Sequence, residues 1–288
     1  MDAGKIRPLP NRVFGTGSTR REVASSGNCS YNRMRKGHPV RLLEEIRRFF
    51  SLLTDEIFYT GQYLRRRRGV LPGEIVHQLY TMGYRSYPII CLITFLIGVT
   101  ISLTSVAQLR LFGADIYLAD LIGIAMITEL VPLMIGIMLA GKIGASITAE
   151  IATMKVMDEI DALTTMGIVP GRFLMVPRII AITLVVPLLV ALADFVGILG
   201  GVLVGNLAAG MPPSAFIREV LTVVTLHDFV VGMIKSLVFG WTVVVAAGYK
   251  GFFIERGAEG VGKATTESVV LSIALIIGLD CVFAFVLY

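Results

Sequence analysis

The sequence predicts an all-α integral membrane protein, with five transmembrane helices, an amphipathic interfacial helix ahead of them and a charged helix on the cytoplasmic side between spans 2 and 3. Three observations carry this. Of the 288 residues, 55% are hydrophobic and only 16% charged, and the mean hydropathy is +0.77, more apolar surface than a soluble domain can bury. Five apolar runs are each long enough to cross about 30 Å of hydrocarbon, which takes roughly 20 residues. Finally, the Lys and Arg residues segregate to alternate connections, as the positive-inside rule requires of a multi-pass protein.

Residues 1–38 are rich in Arg, Ser, Gly and Asn, with Asp2 and Glu22 as the only acids. This composition reads as a disordered basic tail, with an organellar transit peptide as the alternative. Residues 39–288 form the second unit. Its first part, about 40–68, places Leu42, Leu43, Ile46, Phe49, Phe50, Leu53, Ile57 and Phe58 at helical spacing among Arg41, Glu44, Glu45, Arg47 and Arg48. One apolar face and too many charges to span make an interfacial helix; packing on another cytoplasmic helix is the competing reading.

The spans are expected at about 87–109, 116–140, 179–209, 229–249 and 268–288. The third is overlong and contains Pro187, so tilt or a kink is expected there. With the N-terminus inside, sixteen Lys and Arg precede Tyr87, four fall in 141–178 and three in 250–263, which is 23 of the 26. That places the C-terminus outside. The formal net charge of +5 arises from this asymmetry, which points to an anionic leaflet and not to nucleic acid.

Between the second and third runs, 141–178 is a polar island holding Lys142, Glu150, Lys155, Asp158, Glu159, Asp161, Arg172 and Arg178. Ile151, Met154, Met157, Ile160 and Leu163 recur at helical spacing within it, which predicts an amphipathic helix outside the bilayer. The connections at 109–116 and 210–228 are too short for a domain. At the last span, Thr265 or Thr266 is the expected helix cap.

No nucleotide-binding loop, HExxH or GxSxG motif occurs, so an autonomous enzyme is not expected. Cys29, Cys91 and Cys281 lack redox or metal spacing, and His38, His77 and His227 form no ligand pattern. Gly197, Gly200, Gly201 and Gly205 stand at small-xxx-small spacing, suited to close helix packing or to a homodimer seam.

Ionisable residues inside the runs are the strongest functional signal. Glu129, Asp194, Lys235 and Asp280 each cost on the order of 2.5–3.5 kcal/mol at a helix centre, so partners or water must be near. At 1.5 Å per residue, Lys235 lies roughly 10 Å and Asp280 about 12 Å from the outer ends of their spans. Equal depth and opposite charge make them a pair, either a structural clamp or, with Glu129, the polar lining of a cavity that admits a lipid head group. Glu129 sits nearer mid-membrane, before Pro132, whose missing N–H frees a carbonyl. Asp194, near the outer end of its span, is expected to reach the interface.

These residues also carry a resemblance. The run GKIGASITAEIATMKVMDEIDALTTMG with Pro170, Pro177 and Arg178, then Ile234, Lys235 and Ser236, then KATTESVV from Lys263, and Gly278, Leu279 and Asp280 resemble the MlaE/YrbE permeases, membrane subunits of ABC systems that carry an MCE-domain protein. The resemblance covers roughly 40–288. It implies a homodimeric lipid permease, with 141–178 as the coupling region docking on a separate ABC ATPase subunit. ATP and Mg would bind to that subunit, with no cofactor on this chain. The other partners implied are an MCE-domain substrate-binding protein and membrane lipids, in a bacterial inner membrane with the N-terminus cytoplasmic; an organellar envelope is the alternative. Glu150, Met154, Asp158, Glu159 and Asp161 would face or orient the ATPase. Glu129, Leu130, Lys235 and Asp280 would line the lipid cavity.

Two departures stand out from the usual pattern: Thr128 and Val131 replace an Arg and a Gly flanking Glu129, and Lys142 stands where Arg is frequent, a point charge for a planar fork. The basic tail is also longer than usual. Competing functions are an ion- or proton-coupled secondary transporter, disfavoured by the lack of an internal repeat, and a membrane scaffold for an MCE complex.

Overall fold

The structure is a computed structural model that describes residues 72–254 and 257–287; the expected basic tail and interfacial helix lie outside them. All of the described elements are helical. α1 (Pro72–Leu79) passes through a π-helical turn (Tyr80–Tyr84) toward α2 (Tyr87–Leu111). After a short 3₁₀ turn, α3 (Leu118–Ala125), a π turn (Met126–Leu130), α4 (Val131–Leu139), a second π turn (Ala140–Gly144) and α5 (Ala145–Val156) follow one another without a break. Then come α6 (Glu159–Thr165), α7 (Pro170–Leu207), α8 (Pro213–Val223), α9 (Leu226–Phe252) and α10 (Ala258–Leu287).

Five helical stretches among the described residues are long and apolar enough to cross a membrane: 73–111, 115–156, 170–207, 226–252 and 258–286. Each is longer than the apolar run that announces it, because polar end turns continue the backbone hydrogen bonding that the run begins. α7 keeps both Pro177 and Pro187 inside a 38-residue helix, about 57 Å at 1.5 Å per residue, so it outreaches the hydrocarbon. Its first turn opens on Pro170, where no intrahelical N–H is needed.

The packing centre is the contact between α2 and α7. A Cβ on Gly98 would lie 2.1 Å from the Gly197 carbonyl oxygen, and one on Gly200 would lie 2.6 Å from the Phe95 carbonyl oxygen. The small-residue stripe is thus consumed inside the chain, where it lets two backbones touch, and it does not form the homodimer seam considered as its alternative. At the same end, Gly205 receives the ring of Phe216. Phe216 and Val220 are the buried face of α8, which places a packed amphipathic helix in the short 210–228 connection.

The cap expected at the last span is a correction. Thr265 and Thr266 lie well inside α10, and their hydroxyls donate to the carbonyls of Val261 and Gly262 four residues back, because the helix starts at Ala258. The capping box is at α9 instead. There the Thr225 hydroxyl accepts from the Asp228 N–H at 3.3 Å and the Asp228 carboxylate accepts from the Thr225 N–H at 2.9 Å, satisfying two otherwise orphaned donors.

Candidate functional site

Two features earlier in α9 position Lys235. The capping box fixes the start of α9, and one turn before Lys235 the chain has Gly232, where a Cβ would lie 2.3 Å from the Ile127 carbonyl oxygen. That absence of a side chain lets α9 approach the π turn that carries Glu129. Pro132 offers no N–H to the carbonyl four residues back, Thr128, and the Lys235 ammonium donates to that carbonyl at 3.3 Å. It also meets Asp280 Oδ1 on α10 at 2.7 Å and Glu129 Oε2. Three helical segments distant in sequence therefore converge on one cation.

The exposure of the triad is uneven. The Lys235 side chain is 1% exposed, against 35% for Glu129 and 21% for Asp280. The cation lies behind and the two carboxylates lie in front. Leu130, expected to line the same region, is half-buried and packs on the core. Thr128 is buried, and its hydroxyl donates to the Ile124 carbonyl at 2.9 Å, so the residue that stands in the place of an Arg brings no charge. Glu129 takes its partner from α9 instead of its sequence neighbour. One turn beyond the triad, Phe239 on α9 and Phe283 on α10 meet edge to face, with ring centroids 6.2 Å apart.

The second polar region is the end of the 115–156 stretch. The amphipathic helix expected there is two pieces. α5 continues the span and buries Ile147, Thr148, Ile151 and Ala152, and the Thr148 hydroxyl donates to Ser268 Oγ at 2.8 Å on α10. The chain then bends at Asp158, whose φ of 59° is left-handed, a conformation that Asp tolerates better than most residues. α6 follows for about two turns to Thr165, and the chain leaves it through Gly167, whose φ of 77° suits the glycine.

This elbow sorts its expected contact residues into two groups. Asp158 and Glu159 are exposed, as are Met157 before them and Met166 at the end of α6. The other three are engaged within the chain. Asp161 accepts from Lys155 at 2.8 Å across the bend, Met154 packs on the core, and Glu150, 52% exposed, binds Arg178 Nη2 at 2.7 Å. Arg178 itself, on α7, is 2% exposed, with Nε and Nη1 unpartnered. Sequence reasoning placed Arg178 in the polar island but missed this pair; the available signal was a cation directly before an apolar run. Lys142, on the second π turn, donates to the Arg85 carbonyl.

Asp194 corrects an expectation based on depth. It is buried, and neither carboxylate oxygen has a hydrogen-bond partner. Counting residues from a helix end measures depth but not facing, and Asp194 lies one turn from Gly197 among the buried residues of α7. No group of three or more His, Cys, Asp or Glu among the described residues is arranged to hold a metal.

This arrangement of spans, triad and elbow can be set beside known proteins. The family model for the permease MlaE matches residues 75–286. The chain belongs to the MlaE permease family. A probable ABC transporter permease protein of Rickettsia typhi is 37% identical over 203 residues, 70% of this chain and 78% of that protein. A probable ABC transporter permease protein of Synechocystis is 30% identical over 79% of this chain and 88% of its own length. The intermembrane phospholipid transport system permease protein MlaE of Haemophilus influenzae is 30% identical over 74% of this chain and 82% of its own length. Both polar regions of this MlaE-family chain, the Lys235 triad and the elbow, fall inside the matched residues.

Proposed function

We propose that this chain is the permease subunit of an ABC system that moves phospholipid or a related lipid between the membrane and a channel formed by an MCE-domain protein. The carrying observation is the coexistence, on one five-span permease-family body, of a buried ion triad open on one side and an exposed acidic elbow at a helix end. The relative from H. influenzae, whose name specifies phospholipid transport, supports the choice of cargo. Asp158 and Glu159, with Met157 and Met166, present acidic charge bordered by flexible apolar side chains, a surface complementary to a basic-rimmed groove. The occupant of that role is a separate ATPase subunit, which binds ATP and Mg and carries out hydrolysis. Two copies of this chain form the permease core in a bacterial inner membrane. The Lys and Arg distribution supports a cytoplasmic N-terminus with the elbow on the same side.

The test is reconstitution of the full chain with its ATPase subunit in lipid vesicles. The wild-type complex should hydrolyse ATP faster in the presence of transportable lipid. Asp158→Lys with Glu159→Lys should weaken co-purification of the ATPase and abolish the stimulation, while the permease still inserts and purifies. Unchanged co-purification and unchanged stimulation in that variant overturn the elbow's role; lack of any lipid stimulation in the wild type overturns lipid transport.

A further inference from the structure

Charge and exposure in the triad specify which kind of head group its open side suits. Two carboxylates share one ammonium, and the remaining contact of Lys235 is the neutral carbonyl of Thr128. Thr128 is a neutral side chain and contributes no compensating charge, and its hydroxyl is used by the Ile124 carbonyl. With both acids ionised, the triad carries one negative charge in excess. The excess is on the accessible side, because Glu129 and Asp280 are partly exposed while Lys235 is not. A carboxylate within a bilayer is costly unless paired, so the open side of the triad is complementary to a cation.

The surroundings favour an organic cation. Phe283 lies three residues beyond Asp280 on α10, on the same helix side, and its ring meets that of Phe239, four residues beyond Lys235 on α9. Phe283 is half-buried while Phe239 is fully buried, so of the two rings it is Phe283 that retains an accessible surface. Carboxylates beside an aromatic ring are the recognition chemistry of ammonium groups. A phosphate would instead face two like charges, with the single lysine screened behind them.

We infer that the open side of the Lys235 triad binds the ammonium end of a zwitterionic lipid head group, and that the site disfavours lipids whose head group is anionic only. The inference rests on the lipid-permease reading and specifies its substrate class.

Native mass spectrometry of the purified full chain tests it. The protein is equilibrated at low lipid-to-protein ratio with equimolar phosphatidylethanolamine, phosphatidylcholine and phosphatidylglycerol of matched acyl chains, and the lipids that survive transfer are counted. Wild-type protein should retain the two ammonium lipids several-fold over phosphatidylglycerol. The isosteric single variants Glu129→Gln and Asp280→Asn should each shrink that preference, and the double variant, left with an unpaired Lys235, should reverse it. The difference between wild type and the single variants separates the site from lipids adhering to helix surfaces.

Equal retention of the three lipids, a preference for phosphatidylglycerol, or a preference unmoved by either single variant overturns the inference. Each of those results leaves the lipid-permease reading to the ATPase assay. Conversely, an ammonium preference in a complex whose ATPase ignores lipid supports the site and overturns transport.

Discussion

Two buried cations anchor the two polar regions of this molecule, and they are satisfied in opposite ways. Lys235 meets three oxygens from two other helical segments, donating to the Thr128 carbonyl and Glu129 Oε2 and ion-pairing with Asp280 Oδ1. Arg178 has one carboxylate oxygen and leaves Nε and Nη1 buried without partners. An ammonium accepts partners from any direction, whereas a guanidinium needs acceptors placed along a planar fork. The triad therefore directs its spare capacity outward, through two half-open carboxylates. At the elbow the spare capacity points inward, and the burial of Arg178 depends on a single bond to Glu150. One region is a knot of three charges with an open face; the other is a latch.

The sharpest way to break this contrast is Lys235→Ala. Removing the shared cation leaves two carboxylates facing each other without compensation, and breaking a buried ion pair from one side costs roughly 3–5 kcal/mol. Lipid transport should be lost and the thermal midpoint of the solubilised protein should fall sharply. Normal transport at normal membrane levels would remove the triad from the site.

Gly232→Ala tests whether the knot depends on backbone approach. The added Cβ meets a backbone oxygen that cannot swing aside, and overpacking of this kind costs roughly 1–3 kcal/mol. Transport should drop along with the thermal midpoint, since α9 must move away from Thr128 and Glu129. A variant as stable and active as wild type would mean that Lys235 reaches its partners without that contact.

At the latch, the two sides should respond unequally. Glu150→Ala strands a buried guanidinium and should cost on the order of 1–3 kcal/mol. Arg178→Met removes the unpartnered donors along with the charge and leaves a carboxylate that water already reaches, so it should stay within about 1.5 kcal/mol of wild type, as volume-conserving replacements do. Equal losses of thermal stability in the two variants would show that Arg178 is held by more than Glu150.

The smallest effects belong to the bend. Lys155→Ala removes an exposed ion pair worth about 0–1 kcal/mol, and Asp158→Gly should preserve the left-handed turn with a similarly small change. Asp158→Val should cost roughly 1–2 kcal/mol more than Asp158→Gly, because a β-branched side chain opposes φ of 59°. Matching melting curves for the glycine and valine variants would show that the bend is not fixed at this residue.

Much of the triad is legible before any coordinates, because it needs only the rise per residue. Lys235 and Asp280 come from equal counts along two helices, and the free carbonyl of Thr128 follows from Pro132. The elbow is legible in position but not in shape. Ile151, Met154, Met157, Ile160 and Leu163 keep a three-residue spacing straight through Asp158, so periodicity reports one helix where the backbone turns left-handed without a glycine to mark it. Asp194 and the Glu150–Arg178 pair are lost for a related reason. Which way a side chain faces depends on the packing of neighbouring helices, and no count along a single helix contains that. The short 210–228 connection hides α8 because Phe216 and Val220 make only two turns of apolar face.

The two π turns between α3 and α5 have a consequence for the tolerance of the chain to length changes. Each amounts to one residue inserted into an α-helix, and one residue corresponds to about 100° of rotation about the helix axis. Deleting a single residue within 126–130 would remove that extra residue and close the turn to ordinary pitch, so the helix beyond it would keep its facing, with Glu150 on Arg178 and Thr148 on Ser268. A deletion at the start of α5, beyond both π turns, has no extra residue to absorb it and would turn Thr148, Glu150 and everything after them by about 100°. The π turns are thus where this stretch tolerates the loss of a residue, whereas the same loss in the regular helix after them would re-aim the surface that Asp158 presents.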